Sequence, residues 1–530
     1  MTKGAIAAGH KLTAMAGVEM LKAGGNAFDA AVAAAFASVV CESTLTSLGG
    51  GGFLMARSSN GETDLYDFFT DTPGRGGNCA PSKDNFYPVG IHFTAVAQDF
   101  YIGKGSAAVP GMLPGLGMVF KERCTLPLKE LLAPAIDYAK SGVVLNAEHA
   151  HFIEVLSPML LHSKEGRAIY APQAATGGKQ LVKGELLRNG QLATALEALS
   201  KKGFDCFLRE DFAPCLLESF GAPRGLITEE DLREYKAIRR SPLHFNFRGS
   251  DIYTNPPPSS GGSLVAFALK LIEGCDLRAI GADSVEALEL LYEMMRGTDS
   301  ARAGHFDGSA HNAREAEAFL TEETVRLFRK DIEKILEVAG PGLSDGPGST
   351  THISVMDELG NAASITTSSG IGSGFFLPDM GVLVNSMLGE EDVNPGGFHR
   401  LAPGLRLSSM MAPTIITVDG FPSVVLGTGG SNRIRNTLVQ VIINIIVHGM
   451  DAFTAVNRPR LHFDGIALQA EAGVSLEALE ELAKRGVNVN AWDKKHMYFG
   501  GAHIVVKGDG AGSFTGAGDD RRGGVFLRAG

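Results

Sequence analysis

The 530-residue sequence predicts a mixed α+β chain. It opens with two alanine-rich helical stretches that run into glycine-led apolar strands. Its last 180 or so residues alternate apolar and polar side chains between turn signals, with helical patterns at the flanks. Dividing the length by roughly 150 residues per domain suggests three or four domains, or one large enzyme body.

The elements follow in order. Residues 12–23, LTAMAGVEMLKA, carry apolar residues at helical spacing and stop at Gly24-Gly25. Asn26 then caps a second helix, AFDAAVAAAFASVV, whose small side chains permit close packing. Gly49 to Gly52 lead into an apolar strand, with a partner strand at Thr63–Phe68. Helices are expected at 129–141, 191–201 and 211–219, and Thr228 caps the segment ITEEDLREY. The run Pro256-Pro257-Pro258 and the following Ser259-Ser260-Gly261-Gly262 end a strand near 251–254 and open an apolar helix. Residues 300–349 read as charged and helical to about Val338, then as a flexible connector, AGPGLSDGPGST.

Beyond the connector the chain turns to strands. HISVMD (352–357) alternates, DELGN turns, AASIT (362–366) returns and GVLVN (381–385) follows. Residues 413–426 form a hairpin turning at Asp419-Gly420. Ser431 is placed as the cap of a long helix reaching Gly449, with Ile434, Leu438, Val441, Ile442 and Ile445 on one face. A helix at 475–485 and a strand at 502–506 complete the chain.

Composition narrows the function. Glycine supplies 67 residues, far above the average share of about 7 %, without a collagen period. Acidic residues number 59 and basic ones 48, and the net charge of −11 argues against nucleic acid or an anionic membrane as a partner. A small soluble substrate fits better. Six cysteines without a C-x-x-C pair read as free thiols in a reducing compartment. The first residues carry no apolar leader segment, and the apolar stretch 438–447 contains Gln440 and Asn444 and is too short to span a bilayer. The expected location is cytoplasmic for the chain as written, or periplasmic or secreted if a leader has been removed. The 14 histidines show no metal spacing, so no metal and no cofactor are expected. The sole G-x-S-x-G, Gly342 to Gly346, lacks the buried strand a nucleophile elbow needs, and Gly49–Gly52 lack the G-K-[ST] of a phosphate loop.

The informative place is GPGST-THISVMD, where the connector meets the alternating strand at Ser349, Thr350 and Thr351. Two readings stand side by side. The hydroxyls mark the start of a strand, or Thr350 attacks its own preceding carbonyl and becomes an N-terminal residue whose amine serves as its base. An α-amino pKa near 7.7–8.0 leaves that amine partly neutral at physiological pH.

Ten blocks, in order, then bear on the choice: AGVEMLKAGGNAFDAAVAAAF, SLGGGGF, AAVPGMLPG, GLITEEDLREY, NPPPSSGG, TTHISVMDELGNAASIT, GVLVNSML, SSMMAPT, GTGGSNRI and GAGDDRR. With them the sequence resembles the gamma-glutamyltranspeptidase family over nearly its whole length. The resemblance implies a four-layer αββα sandwich of the N-terminal-nucleophile hydrolase type, two antiparallel sheets between helical layers. It also implies autocleavage between Ser349 and Thr350 into segments 1–349 and 350–530, the two chains of one intertwined catalytic fold. Thr350 is the implied nucleophile, supported by the hydroxyls of Thr366 and Ser368, with an oxyanion hole at Gly429 and Gly430. The implied substrate contacts are Ser408 and Ser409 for an α-carboxylate, Asn385 in the pocket strand, and Glu390 for an α-amino group.

There are departures from the family's pattern. Phe69, in Asp67-Phe68-Phe69-Thr70-Asp71-Thr72-Pro73, occupies the place of the family's carboxylate-clamping arginine, which an apolar ring cannot replace. Arg75 is the candidate substitute. Two residues are missing between Thr366 and Gly372, Met387 replaces a polar pocket residue, and the lid segment GEEDVNPGGFHRLAPGLRL is shorter, implying a more open site. The implied activity is hydrolysis or transfer of gamma-glutamyl groups from glutathione and related amides through a threonyl acyl-enzyme. The alternatives are a family amidohydrolase or acylase acting on another small carboxylated amide, and an unprocessed inactive relative with a binding role. The implied partners are a small-molecule substrate and the protein's own cleaved fragment, with a homo-oligomer left open.

Overall fold

Period-two alternation divides each central strand between two cores. In the computed structural model, which describes residues 2–77, 80–93, 96–305, 319–332, 349–510 and 512–530, Ile6, Leu54, Ile353, Val355 and Ile365 face one apolar cluster. Ala5, Ala7, Phe53, Met55 and Met356, from the opposite faces of the same strands, join a second. These strands belong to a seven-stranded sheet in the order Val525–Ala529, Gly4–Ala8, Thr351–Asp357, Ala362–Ser368, Gly51–Arg57, Thr63–Phe68, Ile238–Arg240. Every neighbouring pair is antiparallel.

A six-stranded antiparallel sheet lies against its inner face, in the order Phe514–Ala517, Gly501–Lys507, Phe421–Gly429, Thr414–Val418, Ser250–Thr254, Leu243–Phe247. Helices Lys11–Lys22 and Ala27–Cys41 cover the first sheet, and Gly261–Leu271 and Arg433–Ile446 cover the second. The chain therefore forms the four-layer αββα sandwich that the resemblance implied. Gly4–Ala8 pairs on both sides with strands from beyond residue 350, so the segments before and after that position share one sheet.

Local rules explain much of this. Asn26 and Asp29 form the reciprocal capping box that starts the alanine helix, and Thr228 and Asp231 form another. Asp419 and Gly420, both at positive φ, make the hairpin turn. Elsewhere tertiary contacts override local signals. Ser431 does not cap its helix: it sits at φ 53° with its hydroxyl donated to Asp392, and Asn432 precedes the first helical residue, Arg433. GVLVN contributes only the two-residue strand Val382–Leu383. The expected helix from 300 begins earlier, as Val285–His305, and Glu322–Ile332 follows. Residues 339–348 of the expected connector, including Gly342 to Gly346, lie outside the described residues, as do 333–338 of the expected helix. Among the described residues no helix is long and apolar enough to cross a membrane, and no group of three His, Cys, Asp or Glu is placed to hold a metal ion.

Candidate active site

The inner face of the seven-stranded sheet is polar near the start of Thr351–Asp357. His352 and Thr366 stand opposite each other in the ladder, with Nδ1 2.8 Å from the threonine hydroxyl, while His352 Nε2 lies 2.9 Å from Ser354 Oγ. Thr366 thus bonds His352 in the ladder beside Thr350. Burial, with His503 nearby, holds the His352 imidazole well below the usual histidine range, so the ring is neutral.

Thr350 precedes this strand and is 5 % exposed. Its hydroxyl donates to Ser368 Oγ at 3.4 Å, and Ser368 Oγ in turn donates to the Ser349 carbonyl. The Gly370 N–H donates to Ser368 Oγ at 3.0 Å and fixes its position. The two hydroxyls and the peptide carbonyl between Ser349 and Thr350 form one continuous chain.

Two residues unremarked in the sequence hold the other side. Arg522 Nη1 donates to the Thr350 carbonyl at 3.0 Å, and burial brings the guanidinium down to about 10, still charged at neutral pH. Glu42, at the end of the alanine helix, accepts from Thr351 and, at 2.7 Å, from Thr13. Burial pushes its carboxyl up to about 7, opposed by those two hydroxyls and by the Arg522 charge. A carboxyl raised on folding favours the native state most below its unfolded value near 4.5, and loses that contribution as pH rises through 7. The stability of Glu42→Gln relative to wild type is therefore expected to rise by about 3 kcal/mol between pH 4.5 and 8. Denaturant midpoints across that range check this, and a constant difference would contradict it.

The glycine pair closes the arrangement. A Cβ at Gly429 would stand 2.1 Å from the Thr350 carbonyl oxygen, so only glycine admits this approach. Gly430 adopts φ +135° immediately after it.

In front of Thr350 opens a narrow cleft of about 20 Å3, lined by Phe69, Ser368, Met387, Glu390, Asp392, Val393, Ser409, Met410, Met411, Ser431 and Ile434. Phe69 is buried and stacks on Phe53 with ring centres 5.5 Å apart. Its N–H donates to Asp67, which with Asp71 binds Arg406 at 2.7 Å each. Glu390 Oε1 accepts from the Ile371 N–H at 2.6 Å and Ser386 Oγ at 3.1 Å, and burial with Asp392 nearby pushes the carboxyl up to about 8. The Ser409 carbonyl accepts from Ser259 Oγ, Ser260 N and Gly261 N, so the Pro-Ser-Gly run anchors this wall.

Not every expected contact lies here. Asn385 is buried away from the cleft lining, clamped between Gly49 and Ala108. Ser408 does not line the cleft. Arg75 binds the Gly404 carbonyl at 3.1 Å and approaches Asp71 at 3.6 Å, outside the cleft lining. Asp392 and Met410 line it without having been singled out in the sequence, and Ile434, expected only as part of a helix face, lines it too.

The sequence matches the family model described as Gamma-glutamyltranspeptidase over residues 13–528. It is similar to the glutathione hydrolase proenzyme of Escherichia coli (strain K12), 30% identical over 513 residues that cover 92% of this chain and 86% of that protein. It is equally similar to the acylase ACY 1 proenzyme of Pseudomonas sp. (strain SE83), 30% identical over 504 residues covering 92% and 87%. Among solved structures, the cephalosporin acylase from Bacillus halodurans matches with a TM-score of 0.82 at 24% identity, over 99% of this chain and 96% of that one, a likeness of fold. The gamma-glutamyltranspeptidase of Helicobacter pylori matches with a TM-score of 0.52 at 25% identity, over 61% and 90%.

Proposed function

The chain belongs to the gamma-glutamyltranspeptidase family, and from that premise we propose that it is a self-processing N-terminal-threonine enzyme that hydrolyses or transfers an acyl group from a small amide. The observation that carries this reading is the hydroxyl chain from Thr350 through Ser368 to the Ser349 carbonyl. In processing, Thr350 Oγ adds to the Ser349 carbonyl carbon while Ser368 donates to the oxygen that gains charge. Collapse breaks the Ser349–Thr350 C–N bond as the nitrogen takes the hydroxyl proton, freeing the Thr350 amine and leaving an ester on Oγ, which water hydrolyses to the Ser349 carboxylate and the free threonine hydroxyl.

That amine then serves catalysis. It takes the Thr350 hydroxyl proton as Oγ attacks the donor amide, and the proton passes to the departing amine. The N–H groups of Gly429 and Gly430 face the oxyanion, a contribution of about 3–4 kcal/mol per donor in comparable sites. Water, or an acceptor amine, releases the acyl group.

Two donor classes fit this machinery. The first is gamma-glutamyl amides, of which glutathione, the substrate in the E. coli relative's name, is one. The second is a different small amide, in the manner of the acylases, and the Phe69 and Met387 wall favours it. A denaturing gel with intact masses tests the processing step: two fragments meeting at Ser349/Thr350 are expected, and a lone 55.8 kDa chain after long incubation would sink the reading. Turnover of a gamma-glutamyl anilide separates the donor classes.

A further inference from the structure

The cleft wall decides which acyl groups enter. Its ionisable lining among the described residues consists of two carboxyls, Glu390, which burial keeps largely protonated at neutral pH, and Asp392, with no lysine, arginine or histidine. The rest is hydroxyls and six apolar side chains, Phe69, Met387, Val393, Met410, Met411 and Ile434.

Three guanidiniums near this wall stand outside its lining. Arg522 donates to the Thr350 carbonyl. Arg302 donates to Asn432 Oδ1 at 2.8 Å and to the Asp392 carbonyl at 3.3 Å. Arg406 is held by Asp67, Asp71 and the Lys236 carbonyl, behind the Phe69 main chain. A carboxylate in the cleft would meet the Asp392 charge, apolar surface and the Ser409 hydroxyl but no counter-charge, and desolvating it there is costly. An ammonium would meet the opposite: acceptor oxygens on Glu390 and Asp392, held in place by Ser386, the Ile371 N–H and Ser431.

We propose that the acyl donor is an amide of a short amino-bearing acid that lacks a carboxylate, its ammonium seated between Glu390 and Asp392 and its carbon chain against Phe69 and the methionines. This rests on the reading of Thr350 as the acyl-accepting nucleophile and specifies the second donor class. In the step, the donor's C–N bond breaks, the acyl carbon bonds to Thr350 Oγ, and the amine leaves with the proton. Water then adds to the ester and returns the free amino acid.

A matched set of para-nitroanilides tests it with the self-processed full chain. The acyl groups are gamma-glutamyl with both charges, gamma-aminobutyryl with the ammonium alone, glutaryl with the carboxylate alone, and butyryl with neither. The gamma-aminobutyryl compound is expected to exceed the gamma-glutamyl and glutaryl compounds in kcat/KM by about tenfold or more. Asp392→Asn should shrink that preference, and Phe69→Arg should shift it toward the gamma-glutamyl compound. Equal or better turnover of the gamma-glutamyl compound by the unaltered protein overturns the proposal. A parallel binding arm uses the corresponding amides, gamma-aminobutyramide against glutamine and glutaramic acid, and does not depend on chemistry. Loss of all turnover would count against Thr350 alone, while tighter binding of glutamine than of gamma-aminobutyramide would overturn the assignment of the cleft.

Discussion

Thr350→Ala is expected to remain a single chain of 55.8 kDa with amide turnover at background. The same oxygen is asked to do two jobs. It attacks the Ser349 carbonyl to cut the chain, and once the cut has freed its amine it attacks the donor. Removing it deletes the first ester and with it every later step, so the expected loss is at least about 10^4-fold, as for nucleophile deletions in comparable hydrolases. The substitution should not cost the fold. The Thr350 side chain makes one long hydrogen bond, 3.4 Å to Ser368, and its methyl adds little to a wall already built by Phe69 and Met410. An unchanged thermal midpoint beside a lost cut would separate chemistry from folding. Thr350→Ser keeps the oxygen and should still be cut, more slowly, because the serine rotamer is less restricted without the β-methyl. Two fragments from Thr350→Ala, meeting at residue 350, would place the nucleophile elsewhere.

The parts of the molecule that were legible in the sequence are those whose cause is local. Asn26 with Asp29, and Thr228 with Asp231, announce their helices because a cap is satisfied within three residues. The Asp419-Gly420 turn is equally local. Gly4–Ala8 was not legible: GAIAA has no β-branched alternation beyond Ile6, and it becomes a strand because partners more than 340 residues away flank it on both sides. Ser431 looks like a cap and is turned aside by Asp392, on a different segment.

The site divides the same way. The hydroxyl boundary at Thr350 and the paired glycines stand out in the sequence, and the family resemblance gives them roles. Glu42 and Arg522 do not. Each reads locally as an ordinary charge near the end of a helical segment, and each meets the Thr350-Thr351 pair only through contacts spanning 309 and 172 residues. Arg75 stands outside the cleft lining for the converse reason: nearness in sequence to Phe69 does not carry a side chain past Asp71 and Gly404, which hold it.

Gly429→Ala tests whether the two sheets must touch without side chains at the Thr350 carbonyl, one peptide beyond the scissile bond. Gly429 ends the Phe421–Gly429 strand opposite Gly501, and a methyl there would lie 2.1 Å from the Thr350 oxygen, 2.8 Å from its carbonyl carbon and 2.8 Å from Arg522 Nη1. All three are fixed atoms: two belong to backbone and the third to a buried guanidinium that bonds the same carbonyl. The chain must yield, either by moving Thr350 away from Ser368 or by turning the Gly429-Gly430 N–H groups from the oxyanion. Either displacement removes an interaction that the transition state needs more than the ground state, so kcat is expected to fall by about 10^2 to 10^3-fold, with slower self-cleavage and a stability loss of about 1–3 kcal/mol. Gly420→Ala supplies the comparison. Gly420 has φ +80° at an exposed turn with no atom within 4 Å of a new Cβ, so it should lose about 1–2 kcal/mol of stability from backbone strain and keep its turnover. Single-turnover rates and unfolding midpoints of the two variants then distinguish a strained backbone from a displaced carbonyl. Only Gly429→Ala should lose more in rate than in stability, and equal turnover in both would mean that the glycine pair does not face the reacting atoms.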